Sequence, residues 1–234
     1  MQVNSRLLCS LALFLGLVVP CSLLADTVNF AASANSSVTF VGTGTSSTFT
    51  FPPQPGSDLT ITSESGFAAP GNLTGLAGDI LGSFSFNAAD IQTLAPGYET
   101  AAVSGTGSFV IHDGSGYDLT ATLTWDSIST LLSGGSMNSS AQVNLSGFSY
   151  AGTNAQLLEL ATAPTGVVTA SFQFGSTAYD LTTLASTACG ASTPCSTSFS
   201  GTLNATPAPE PASMLLLGTG LIGLAGFTRR RKQL

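Results

Sequence analysis

A run of 17 uncharged residues near the C-terminus, 212–228, is the feature that most limits how this chain of 234 residues can fold. A helix of that length covers about 25 Å, just under the hydrocarbon thickness of a bilayer. A soluble helix would carry a polar face, and this run has none. We therefore predict one transmembrane helix over 212–228, with the rest of the chain folding outside the lipid.

A basic cluster directly after this run sets the orientation of the predicted helix. Basic residues that flank a membrane span stay on the cytoplasmic side. Residues 26–206 are therefore expected outside the cytoplasm. The cluster consists of Arg229, Arg230, Arg231 and Lys232.

Directly before the apolar run stands the triplet Pro209, Glu210 and Pro211. The order of triplet, glycine-interrupted apolar run and arginine cluster resembles the PEP-CTERM sorting signal of exopolysaccharide-producing Gram-negative bacteria, over residues 207–232. The resemblance implies recognition by an exosortase, a membrane cysteine transpeptidase that cuts near the triplet and passes the cargo to a surface acceptor. The triplet is then a recognition sequence for another enzyme. The alternative is a proline-rich linker before a permanent anchor. On either interpretation, residues 207–234 form a sorting or anchor segment.

The N-terminus, residues 1–25, has the layout of a secretory signal peptide. Arg6 precedes an apolar core over 7–19, and a Leu-Leu-Ala sequence ends at Ala25. We predict that signal peptidase cuts between Ala25 and Asp26. Lipidation at Cys21 is disfavoured because a proline precedes it where a small residue is needed.

Removing both terminal segments leaves a body, 26–206, with unusual charge. It contains no Lys or Arg, eleven Asp or Glu and one His. Phosphate binding depends on basic side chains, so a nucleic-acid partner is excluded. A diffuse negative charge suits a secreted protein or a component of a hydrated matrix.

Apolar residues in the body recur with a period of two, which predicts strands. In 117–126 the residues Tyr117 to Trp125 alternate with Asp and Thr, and 107–112 joins this strand through a turn at 113–116. Frequent turn signals and few helical spacers predict an all-β fold, an antiparallel β-sandwich of jelly-roll or immunoglobulin-like type. Residues 154–161 fit either a short helix or a strand. The other predicted strands are 27–32, 37–42, 47–51, 58–62, 82–87, 142–148, 167–174 and 197–204.

Two cysteines remain in the body, Cys189 and Cys195. Two cysteines at short spacing in an exported chain predict a disulfide, here at the end of a hairpin. With one distant histidine, a zinc site is not expected.

Catalytic residues are not predicted anywhere in the body, and neither is a cofactor. His112 is the single histidine, no Gly-x-Ser-x-Gly elbow is present, and Trp125 is assigned to the core. Asp113 and Asp118 flank a glycine-containing turn and are weak candidates for Ca²⁺, but their spacing does not match an EF-hand.

The sequence thus favours a non-enzymatic, exported cell-surface or matrix protein. Its expected partners are the membrane, signal peptidase, an exosortase and exopolysaccharide of a biofilm matrix. Two alternatives stay open. One is a Ca²⁺-dependent carbohydrate-binding module or carbohydrate-active hydrolase, and the other is an unprocessed ectodomain on a single span.

Overall fold

A computed structural model describes residues 25–52, 57–96, 98–133, 136–174 and 179–205. Among these residues no helix is both long and apolar enough to cross a membrane. The predicted signal peptide and the predicted helix at 212–228 lie outside the described residues. The strands are β1 (Asp26–Ala32), β2 (Val38–Gly42), β3 (Ser46–Thr50), β4 (Leu59–Ser65), β5 (Ala77–Asn87), β6 (Gln92–Ala95), β7 (Tyr98–Ala102), β8 (Thr106–His112), β9 (Asp118–Ser133), β10 (Ser136–Ser149), β11 (Thr165–Phe174) and β12 (Cys195–Ala205).

The predicted hairpin is the β8–β9 pair. His112 lies opposite Asp118, and the register runs back to Thr106 opposite Thr124. Burial along β9 alternates as the sequence predicts, with Leu119 to Trp125 inward at every second residue. Tyr117 is the exception, because it precedes the strand and is exposed.

Beyond Trp125 the phase of β9 changes at a β-bulge. Val143 of β10 pairs with Trp125, and the preceding Gln142 pairs with Ser127, so Asp126 has no register partner on β10. The bulge lets both Trp125 and Ile128 face the core although they are three residues apart. The strand continues past its predicted end at residue 126, to Ser133.

All strand pairings are antiparallel, which confirms the predicted all-β class. The pairings among the described residues join the strands into one sheet that closes on itself, and the finer assignment to a jelly-roll or immunoglobulin-like sandwich stays a prediction. Strands β5 and β12 are long and change neighbours along their length. Residues 77–78 of β5 pair with β4 and residues 83–87 pair with β3. In β12, residues 200–205 pair with β1 and residues 195–197 pair with β2. The closed circuit runs β1, β4, β5, β8, β9, β10, β11, β12 and back to β1.

Aromatic side chains fill the interior of this sheet. Trp125 is 3% exposed and lies edge-on to Phe49, with ring centroids 4.9 Å apart. Phe84 and Phe172 complete the contacts around the indole. Such ring contacts add to the free energy of burying large apolar surfaces. Trp125 therefore packs in the core, as predicted.

Two short helices lie between strands, α1 (Ala155–Ala161) and α2 (Leu181–Ala185). The Asn154 side chain caps α1 by accepting from two backbone N–H groups, and this cap selects helix over strand. Leu157 and Leu160, three residues apart, are fully buried on one face of α1. The sequence did not predict α2, which begins after an Asp180 cap.

Cys189 and Cys195 form a disulfide. It does not hold a hairpin end, since Cys189 ends a 3₁₀ turn (Thr187–Cys189) and Cys195 begins β12. Both cysteines are buried, so the bond anchors the α2 segment to the edge of the core.

Candidate functional site

The two ends of the body leave the fold side by side. Asp26, the first residue of β1, is the register partner of Ala205, the last residue of β12. The segment that leads to the Pro209, Glu210 and Pro211 triplet therefore starts next to the predicted signal cleavage point. We call this region, formed by Asp26, Ala205, loop 66–69 and Glu159, the terminal end.

Asp26 is the most unusual residue of the terminal end. Its side chain is fully buried, and within the described residues neither carboxylate oxygen has a hydrogen-bond partner. Burial in the first place, and the charge of Glu159 in the second, raise the pKa of Asp26 to about 6. The preceding residue, Ala25, is exposed.

Glu159 approaches this region from α1. Its two carboxylate oxygens accept from the backbone N–H groups of Ala68 and Ala69 at 2.9 and 2.8 Å. These bonds tie α1 to loop 66–69, which begins at Gly66 with φ +97°. A Cβ at Gly66 would collide with the carbonyl oxygen of Ala25, so this position needs glycine for both reasons.

A second cluster of ionisable groups forms where β5, β8 and β9 adjoin. His112 Nδ1 lies 2.7 Å from Asp118 Oδ1, and His112 Nε2 lies 2.8 Å from Asp79 Oδ2. Burial lowers the pKa of His112, but the hydrogen bonds and charges of Asp118 and Asp79 outweigh it and raise the pKa above its usual value. Both ring nitrogens thus contact carboxylates, and the imidazole is placed as a cation between two anions.

Asp113, the other Ca²⁺ candidate, is bound within its own neighbourhood. Asp113 Oδ1 accepts from the N–H groups of Ser115 and Tyr117, and Asp113 Oδ2 accepts from the Tyr150 hydroxyl at 2.7 Å. Burial alone would raise the pKa of Asp113. These hydrogen bonds together have the larger effect, so the pKa lies below its usual value. Burial, with the nearby carboxylate, raises the pKa of Tyr150. In the described part of the chain, no group of three or more His, Cys, Asp or Glu is placed to hold a metal ion.

An open groove of about 520 Å³ lies beside β7 and β9. Two carboxylates, Asp90 and Asp126, line it, together with Gln92, Thr100 and small side chains. Aromatic rings, on which sugars stack, are not among the described residues that line it.

Sequence reasoning identified some of these residues and missed others. It named Asp26 only as a cleavage position, and it noted His112 only as the single histidine. No sequence signal pairs Asp79 with His112, because the two residues meet only through the pairing of β5 with β8. The predicted recognition triplet and the basic cluster from Arg229 to Lys232 lie outside the described residues.

Comparison with models of protein families identifies the C-terminal segment. Residues 207–232 match the model of the PEP-CTERM protein-sorting motif. This is the segment, and the kind of signal, that the sequence predicts. No curated protein and no solved structure matches the chain at a significant level.

Proposed function

On the basis of the PEP-CTERM protein-sorting motif, we propose that this chain is an exported, non-enzymatic protein of the bacterial surface or exopolysaccharide matrix. Signal peptidase removes residues 1–25 and leaves Asp26 as the first residue. The helix at 212–228 then holds the body at the outer face of the membrane. An exosortase cuts near Pro209, Glu210 and Pro211, and the body passes to the surface or matrix.

The observation that carries this proposal is the match over residues 207–232. The pairing of Asp26 with Ala205 supports it, because it lets both membrane segments leave from the same end of the body. The body then needs no rearrangement when either segment is removed. Its first and last strands stay hydrogen-bonded to each other.

Two features of the body support a non-enzymatic role. Both nitrogens of His112 contact carboxylates, so the ring has no free nitrogen to take a proton from a serine. The groove beside β7 carries carboxylates but, among the described residues, no aromatic sugar platform. The acidic, hydroxyl-rich body instead suits a hydrated polysaccharide matrix.

The test replaces Pro209, Glu210 and Pro211 by alanine in the native host. The variant is expected to stay in the membrane fraction at the mass of the anchored form, while the wild-type body leaves it. Pro70→Ala, an exposed proline outside the motif, is the matched control and is expected to behave as wild type. Normal release of the triple variant would refute sorting through the triplet, and wild-type chain that keeps its basic tail would favour a permanent anchor.

A further inference from the structure

The buried Asp26 carboxylate needs a positively charged or donating partner. Transfer of an unpaired carboxylate from water to a protein interior is strongly unfavourable. The body, 26–206, has no Lys or Arg, and its one histidine is held between Asp79 and Asp118. No basic side chain of the body is therefore available to Asp26.

The elements near Asp26 bring carboxylates and no basic group. Glu159 on α1 acts on Asp26 through its charge. Gln156 on the same helix has a buried amide oxygen without a partner in the described residues. On β4, which pairs with β1, Glu64 accepts from the Thr74 hydroxyl. The end of β12, 203–205, brings no titratable group. The terminal end therefore has an excess of acceptors and lacks a cation.

Signal cleavage supplies that cation at the right place. Hydrolysis of the bond between Ala25 and Asp26 consumes one water, leaves a carboxylate on Ala25 and frees the α-amine of Asp26. An α-amine has a pKa of about 8, so it takes a proton and is an ammonium at neutral pH. It is attached to the same Cα as the buried carboxylate, and this Cα lies beside Gly66.

We propose that removal of the signal peptide completes the fold, because the new α-ammonium of Asp26 pairs with the carboxylates of Asp26 and Glu159. Before the cut, the Asp26 carboxylate is buried without a cation. After the cut, the same buried group is one half of an ion pair. The inference rests on the proposed export and on cleavage after Ala25.

The chain offers an unusually selective probe of this amine. Once residues 1–25 are gone, the only amines are the α-amine and Lys232, which lies in the sorting tail. Mature protein is purified from cells and treated with acetic anhydride, once in the folded state and once unfolded in urea. Peptide mapping then measures how far the α-amine of the first residue is acetylated. We expect the folded protein to react at least about tenfold more slowly, as for an amine held in an ion pair.

Substitution of Asp26 separates an ion pair from mere burial. If the α-ammonium pairs with Asp26, then Asp26→Asn lowers the melting temperature at pH 7, by about 2–4 °C for a domain of this size. If the carboxylate has no partner, the same change raises the melting temperature, because it removes a buried charge. An ion pair with the α-ammonium lowers the pKa of Asp26 from the raised value of the uncut chain, so the two proteins are expected to converge only at more acid pH.

A second pair of variants guards against nonspecific effects. Glu159→Gln is expected to speed acetylation of the folded protein. Glu99→Gln is the matched control, because Glu99 also accepts from a backbone N–H, that of Thr182, but at another place. An amine that reacts equally fast in both states, or a higher melting temperature for Asp26→Asn at pH 7, would overturn the ion pair alone. A mature chain that begins elsewhere than Asp26 would overturn both this inference and the predicted cleavage, whereas a retained C-terminal tail would count only against the proposed sorting.

Discussion

Replacement of His112 by glutamine is expected to remove a pH-dependent part of the stability of the body. His112 joins β8 to β5 through Asp79 and to β9 through Asp118. The pKa of His112 is raised in the folded protein, so the stabilisation is fully present below the unfolded value of about 6.5. It is lost as the pH rises through the folded pKa.

The exposure of the three side chains sets the size of the effect. Asp79 is 22% exposed and His112 is 33% exposed. Their hydrogen bond therefore contributes about 1 kcal/mol to stability, a value between that of a buried charged hydrogen bond and that of a surface ion pair. Asp118 is 47% exposed and adds about 0.5 kcal/mol. We therefore expect His112→Gln to cost about 1.5 kcal/mol at pH 5.5, about tenfold in the folding equilibrium, and close to nothing at pH 9.

Urea unfolding of both proteins at pH 5.5, 7 and 9 measures this difference. Other titrating groups contribute equally to both proteins and cancel. Asp118→Asn is expected to lose the smaller part, whereas Asp126→Asn, an exposed carboxylate on the same strand, is expected to lose nothing comparable. A cost of His112→Gln that stays the same from pH 5.5 to pH 9 would refute the assignment of His112 as a cation between two anions.

Three further predictions concern the core, the disulfide and the cap of α1. Phe49→Ala removes ring contacts with Trp125 and other aromatic side chains, so it is expected to cost about 3–5 kcal/mol in urea unfolding; a loss below 1 kcal/mol would contradict the assigned packing. The double change of Cys189 and Cys195 to alanine opens a short loop and is expected to cost about 2 kcal/mol. The stability of reduced wild type is compared with that of the variant, both relative to oxidised wild type. Equal losses would confirm that the disulfide bond itself is responsible. Asn154→Ala removes the N-cap and is expected to cost about 1 kcal/mol, and Asn154→Asp, which keeps an acceptor, should retain most of it; equal losses for both would contradict the capping role.

Much of the fold follows from local patterns that the sequence carries openly. Alternation in 117–126 predicted the register of β9, and the glycine-containing turn predicted its pairing with β8. The bulge at Asp126 could not be predicted, because an extra residue in a strand leaves no mark in a pattern of period two. Strands β6 and β7 were also missed, since β6 is wholly exposed and offers no alternation.

Closure of the sheet and the ionisable clusters depend on distant parts of the chain. The circuit closes because β1 pairs with β12, and these strands are separated by most of the sequence. The same holds for His112 and Asp79, which meet across two strands. Burial of Asp26 had no sequence signal either, because its neighbours come from loop 66–69 and from α1. What the sequence did predict well was the signal at the end of the chain, where order and spacing are local.

The most direct test of the account is the intact mass of the protein recovered from the native cell surface or medium. Cleavage at both ends predicts a species that begins at Asp26 and ends near Pro211, without the basic cluster. Such a mass would establish both export and processing. A species that still ends in residues 229–234 would contradict the proposed sorting and leave a body held permanently on a single membrane span.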